Sequence, residues 1–84
     1  MEKTVKCILV SIDKVLISEI IEIDAEIGDP NCKLINPLQF FEDGDMKPWP
    51  SVTNQREIMM RSEDILTIAD PTPEIIKKYL ELTA

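Results

Sequence analysis

The stretch Glu57 to Asp70, Glu-Ile-Met-Met-Arg-Ser-Glu-Asp-Ile-Leu-Thr-Ile-Ala-Asp, holds two apolar runs separated by four polar residues. Ile58 to Met60 before the break and Ile65 to Ile68 after it suit a buried sheet, whereas Arg61, Ser62, Glu63 and Asp64 are poor strand residues and good turn residues. The reading is strand, tight turn, strand, with one arginine at the mouth of the turn. A chain that reverses over so short a connection, and does so more than once, belongs to the mainly β class.

The residues upstream repeat the pattern. Thr4 to Val10 is β-rich, with Val5, Cys7 and Leu9 on one face and Lys6, Ile8 and Val10 on the other, which predicts a largely buried first strand. After a polar break around Asp13, Val15 to Ile27 reads as a long second strand. Its far half alternates Ile21, Ile23, Ala25 and Ile27 against Glu22, Asp24 and Glu26, a period of two that no helix stripe produces. The near half adds Leu16 and Ile20 on the second face, so the buried side changes near Ser18 and Glu19, as in a sharply bent barrel strand. Gly28-Asp29-Pro30-Asn31 is a turn by composition, and Cys32 to Phe41 is its hairpin partner. Pro37 cannot donate a ladder hydrogen bond, which predicts a bulge or an edge there.

Glu42 to Pro50, with Gly44, Pro48, Pro50 and three acids, reads as a loop, and Ser51 to Met60 as the fourth strand. Asp70-Pro71-Thr72-Pro73 ends the fifth. Thr72 is placed as the N-cap of a helix, with Pro73 at its first position and Glu74 in its first turn. Ile75, Ile76, Tyr79, Leu80 and Leu82 form its apolar stripe against Lys77, Lys78 and Glu81. The expected architecture is a five-stranded, strongly bent SH3-like barrel over residues 4–70 with a C-terminal helix over 72–83, all in one domain of 84 residues.

Composition narrows the chemistry. Nine basic residues against sixteen acids, a net charge of −7, leave no broad basic surface for phosphates, so any nucleic-acid contact must be local. There is no histidine, and Cys7 and Cys32 lack metal-ligand spacing, so neither a zinc site nor a histidine base is expected. No Gly-x-Ser-x-Gly elbow and no phosphate-cradling glycine loop occur, and Glu42, Asp43 and Asp45 lack the spacing of a calcium loop. The protein is therefore read as a non-enzyme without metal or cofactor. Met1 to Lys6 leads straight into an alternating segment and the longest apolar runs are four residues, which predicts neither a signal peptide nor a membrane span. A reducing, cytoplasmic setting with both thiols free follows as an expectation.

The segment Met60-Arg61-Ser62-Glu63-Asp64-Ile65-Leu66-Thr67-Ile68 resembles the second motif of the Sm-like family, an apolar strand ending in Ile-Arg-Gly, two polar residues and a short apolar strand. Ser62 stands where that motif has glycine. The family's Asp-x-x-x-Asn before the third strand has its nearest equivalents in Asp29 and Asn31, at a different spacing, and its N-terminal helix has no counterpart in the three residues before the first strand. The strand pattern resembles the Sm fold over about Thr4 to Asp70, although SH3-like and OB barrels share the strand count. Small phage-encoded Sm-like proteins are the nearest in kind, which would place the protein in the host cytoplasm.

The resemblance implies a homo-oligomeric ring of about five to seven subunits, closed by pairing the fourth strand of one copy with the fifth of the next. It also implies that Arg61 contacts RNA or single-stranded DNA near the ring axis, with Asn31, Lys33, Asp29 and Ser62 as further candidate binding residues. Other uses stay open: Arg61 as a turn arginine paired with Glu63 or Asp64, and Lys33 as part of a solvated strand face. Trp49, between Pro48 and Pro50, can stack on a base or pack against the barrel. Without nucleic acid, the same barrel would serve as a protein-interaction or assembly module, a reading that the acidic balance favours.

Overall fold

The computed structural model of the protein describes residues 4–84; the lead-in Met1 to Lys3 lies outside them. The chain is mainly β with one C-terminal helix, as its alternation predicts. The elements are β1 (Val5–Ser11), β2 (Lys14–Glu22), β3 (Cys32–Phe40), β4 (Met46–Pro48), β5 (Glu57–Met60), β6 (Thr67–Ala69) and α1 (Pro73–Leu82). They form one antiparallel sheet in the order β4-β3-β2-β1-β6, with β5 also paired to β3.

Four boundaries differ from the expectation. The sheet does not close into a barrel, since β5 pairs with β3 and β6 with β1 but not with each other. The fourth strand is split in two. β4 pairs with the Leu38 to Phe40 end of β3 and β5 with the Cys32 to Ile35 end. Met46, inside the expected loop, is buried opposite Phe40 and so forms a strand, whereas Val52, inside the expected strand, is 92% exposed in the connection between the halves.

β2 stops at Glu22, opposite Cys32 where β3 begins, and the pairing ends with one further backbone bond, Ile23 N–H to the Asn31 carbonyl at 2.9 Å. The cleanly alternating tail therefore has nothing to bury against, and Ile27 is fully exposed. Finally, Ser62–Asp64 is a single 3-10 turn closed by Asp64 N–H to the Arg61 carbonyl at 3.0 Å and Ile65 N–H to that of Ser62 at 3.1 Å. Asn36 is the one non-glycine with positive φ among the described residues, so the turn accepts Ser62 without the left-handed backbone that glycine would provide.

Each sheet face carries a core. On one, Val5, Ile17, Leu38 and Met46 pack around the fully buried Tyr79 of α1, joined by Ile75 and Ile76. On the other, inward side, Ile8, Leu16 and Leu34 pack with Val10, Ile20, Trp49, Ile58, Met60 and Ile65. The bend that lets one sheet do both is at Pro37. Between the pairs Ile17–Leu38 and Glu19–Ile35, β2 advances two residues while β3 spans three, so β3 carries the extra residue. Asn36 takes φ +54 there, and the fully buried Ser18 faces the irregularity. Ser18 Oγ lies 2.8 Å from the Glu19 carbonyl and 3.2 Å from that of Ile35.

The helix begins as its sequence requires. Thr72 Oγ1 accepts the Ile75 N–H at 3.4 Å, and Pro73 opens the first turn. Of its apolar stripe, Tyr79, Ile75 and Ile76 reach the sheet, while Leu80 and Leu82 stay exposed.

Candidate functional site

The turn before β3 and the turn after β5 meet because β3 and β5 are paired from Cys32–Met60 onward, which sets Asn31 beside Arg61 and Ser62 at the end of that ladder. Asn31 Oδ1 accepts the Ser62 backbone N–H at 2.8 Å, and Asn31 Nδ2 donates to Ser62 Oγ at 3.1 Å. Both ends of the amide are thereby used. Asn31 acts as a cross-tie between the two turns, and Ser62 contributes its backbone and its hydroxyl to that tie.

Arg61 stands at the start of the 3-10 turn with extended backbone and a half-exposed side chain, Nε lying 3.2 Å from Asp64 Oδ2. That ion pair spans three residues on one turn and is solvent-accessible, so it is worth at most about 1 kcal/mol. The guanidinium keeps donors beyond Nε for an acceptor with two oxygens, such as a carboxylate or a phosphate. Asp29 lies with Asn31, Glu26 and Glu63 around a polar cavity of about 240 Å³ formed by the residues between β2 and β3. Three carboxylates on that lining repel an anion at that spot.

Lys33 is on a different surface. It projects from the outward face of β3, in register with Ile21 of β2 and Met59 of β5, and its Nζ pairs with Glu57 Oε1 at 2.5 Å. The structure thus gathers Asn31, Ser62, Arg61 and Asp29 around one end of the sheet, with Lys33 on its adjacent outer face. Trp49 packs half-buried against the Ile8, Leu16 and Leu34 core, so its indole serves the fold.

Burial pushes Cys7 above the usual thiol range, and burial, reinforced by the Glu22 carboxylate, does the same for Cys32; both stay protonated and unpaired in a disulfide. Among the described residues no group of three or more Cys, Asp or Glu side chains is arranged to hold a metal ion, and no helix is long and apolar enough to cross a membrane.

Of the two partners that the sequence offers Arg61, Glu63 and Asp64, the structure selects Asp64; the sequence did not place Glu26 and Glu63 beside the polar cavity. No curated protein matches this sequence. Over residues 3–84 the sequence matches a family of unknown function, DUF6561, and the protein belongs to that family.

Proposed function

We propose that the protein assembles edge to edge into an Sm-like ring and binds single-stranded RNA or DNA through Arg61, as an accessory in nucleic-acid processing in the cytoplasm, that of the host if a phage encodes it. The observation that carries this reading is the double hydrogen bond between Asn31 and Ser62, 31 positions apart in sequence. It ties together the two stretches in which the chain resembles Sm-like proteins, and it holds Arg61 at a defined place on the rim of the sheet. β5 and β6 each have one side unpaired among the described residues, and open edges recruit other chains. A head-to-tail contact between them closes when the rotation permits.

In a ring, every Arg61 faces one axis, so a subunit of net charge −7 presents a focused circle of guanidinium groups. Phosphates exchange for the Asp64 carboxylate, and a narrow central opening admits single strands and not a duplex. Light scattering after size exclusion tests the assembly. Titration of labelled oligoribonucleotides and oligodeoxyribonucleotides at two salt concentrations, against wild type and Arg61→Ala, tests the binding. The expected result is an oligomer with salt-sensitive affinity that the Arg61 variant loses.

A second reading is favoured by the pairing of Arg61 with Asp64 and of Lys33 with Glu57, and by the acids around Asn31. Under it the protein is an interaction or assembly module that binds no nucleic acid. An oligomer that fails to bind either polymer at low salt selects this reading.

A further inference from the structure

Every residue from Ile21 to Pro30, the end of β2 and the connection to β3, is exposed. Within it the alternation of β2 continues past the last ladder pair: Ile21, Ile23, Ala25 and Ile27 are apolar, and Glu22, Asp24 and Glu26 between them are acids. Ile21 shares the outward face of β2 with Ile17 and is in register with Lys33, and Lys33 with Met59. The apolar row of this arm therefore runs on across the Lys33 stem to Met59, itself 43% exposed.

One edge of the arm is open among the described residues. Ile23 N–H bonds to the Asn31 carbonyl on the β3 side, and Ile20 N–H to the Thr4 carbonyl on the β1 side at 3.3 Å. Successive N–H groups of a strand point to opposite edges, so those of Glu22 and Asp24 face the side that β1 leaves after the Val5–Glu19 pair.

The acids of the arm have no counter-charge. Among the described residues Glu22, Asp24, Glu26 and Asp29 form no ion pair, nor does Glu63 across the polar cavity, while Lys33 and Arg61 at this end of the sheet are paired with Glu57 and Asp64. Carboxylates thus recur about every 6.6 Å along one side of the arm. A second copy of the arm would set acid against acid, and a phosphate polymer is repelled in the same way. The complement is a strand that places Lys or Arg opposite the acids and apolar side chains opposite the isoleucines.

We infer that the arm from Ile21 to Ile27 docks an extended segment of a partner protein that alternates apolar and basic residues, added as a strand at the open edge of β2. The inference names the partner for the interaction-module reading above and rests on it. Backbone pairing with Glu22 and Asp24 sets the register of the segment, the isoleucine row covers its apolar face, and cross-strand ion pairs select its charge.

A labelled nine-residue peptide alternating valine and lysine is titrated against the full chain by fluorescence anisotropy at two salt concentrations. Beside it run a peptide of the same composition with its lysines in one block and a peptide alternating valine and glutamate. The variants are Asp24→Asn, Asp24→Pro and the double change Ile23→Ser with Ile27→Ser, all at exposed positions, and thermal melts show that each folds. The expected result is salt-sensitive binding of the alternating lysine peptide, about tenfold tighter than the blocked one, and no binding of the glutamate peptide. Asp24→Asn weakens it about threefold, whereas Asp24→Pro, which also removes the edge N–H, and the double serine variant weaken it about tenfold or more. Equal affinity for the alternating and blocked peptides, or equal loss in Asp24→Asn and Asp24→Pro, overturns strand docking. Self-association in light scattering that the double serine variant abolishes overturns it in favour of a second copy. Absence of binding to the lysine peptide overturns the docking edge and leaves the module reading in place, unless labelled oligonucleotides bind in the same buffer, which removes that reading too.

Discussion

The Tyr79 hydroxyl lies 2.9 Å from the Ile35 carbonyl oxygen, and this contact joins the C-terminal helix to the bulge in the β2–β3 ladder. The same hydroxyl is 3.0 Å from the Asn36 carbonyl and accepts the Glu19 N–H at 3.3 Å. A bulge leaves backbone groups without ladder partners, and a buried orphan costs as much as a lost hydrogen bond. Tyr79 supplies the missing partners from outside the sheet while its ring fills the core between Val5, Ile17, Leu38 and Met46.

Tyr79→Phe should keep the fold and lower its stability by about 1–3 kcal/mol, since the ring stays while the Glu19 N–H and the Asn36 carbonyl lose the hydroxyl and the Ile35 carbonyl keeps only Ser18 Oγ. Urea denaturation followed by circular dichroism measures this. An unchanged midpoint would mean that water replaces the hydroxyl without cost.

The same residue sets an alkaline limit. Burial, the largest cause, pushes the Tyr79 phenol above its usual value. A proton held more tightly in the folded state than in the unfolded one stabilises the fold fully below the unfolded pKa of about 10 and progressively less as pH rises from there through the folded pKa. Melting temperature should therefore begin to fall near pH 10. Tyr79 is the sole tyrosine, so its phenolate absorbance can be read directly and should rise at a higher pH than in the denatured chain.

Removing α1 by truncation at Pro71 should destabilise the protein severely. Tyr79, Ile75 and Ile76 cover the outward core, and a fully buried large side chain contributes about 1.5–3 kcal/mol before entropy is subtracted. Aggregation or loss of the cooperative melt is the expected outcome. A truncated chain that melts like the full one would contradict the role of the helix.

Asn31→Ala should cost about 0.5–1.5 kcal/mol for each bond lost to Ser62 and should also weaken any oligonucleotide binding, because the turn that carries Arg61 loses its tie to β3. Binding isotherms beside melts separate the two effects. Full affinity in a destabilised variant would show that Arg61 needs no positioning.

Asp64→Asn should act in the opposite direction, raising oligonucleotide affinity up to about fivefold by releasing Arg61 from an exposed ion pair. Arg61→Ala should remove most of the binding. Equal affinity in wild type and Asp64→Asn would indicate that the ion pair does not compete with phosphate.

Much of the fold is written locally. Thr72, Pro73 and Glu74 are a helix start whatever surrounds them, because they act on the first turn's own N–H groups, and α1 begins there. The hairpins of β1 with β2 and β2 with β3 follow from period-two alternation on either side of polar breaks, and Pro37 marks the bulge because it lacks a donor. Composition likewise defines the candidate site as small and focused, since nine basic residues cannot cover a surface.

What alternation could not show is where each strand runs out of partners. Ile23 to Ile27 alternates as well as any stretch in the chain and lies beyond β2, because strand identity belongs to a pair and β3 begins too late to extend it. Met46 and Val52 exchange their expected roles for the same reason: only the position of Phe40 across the ladder decides which is buried. The meeting of Asn31 with Ser62 is likewise decided by the β3–β5 register, a non-local pairing that no run of neighbouring residues encodes. Short-range steric and hydrogen-bond preferences are legible in a sequence, whereas burial and contact across the sheet depend on which distant segment the folded chain sets opposite.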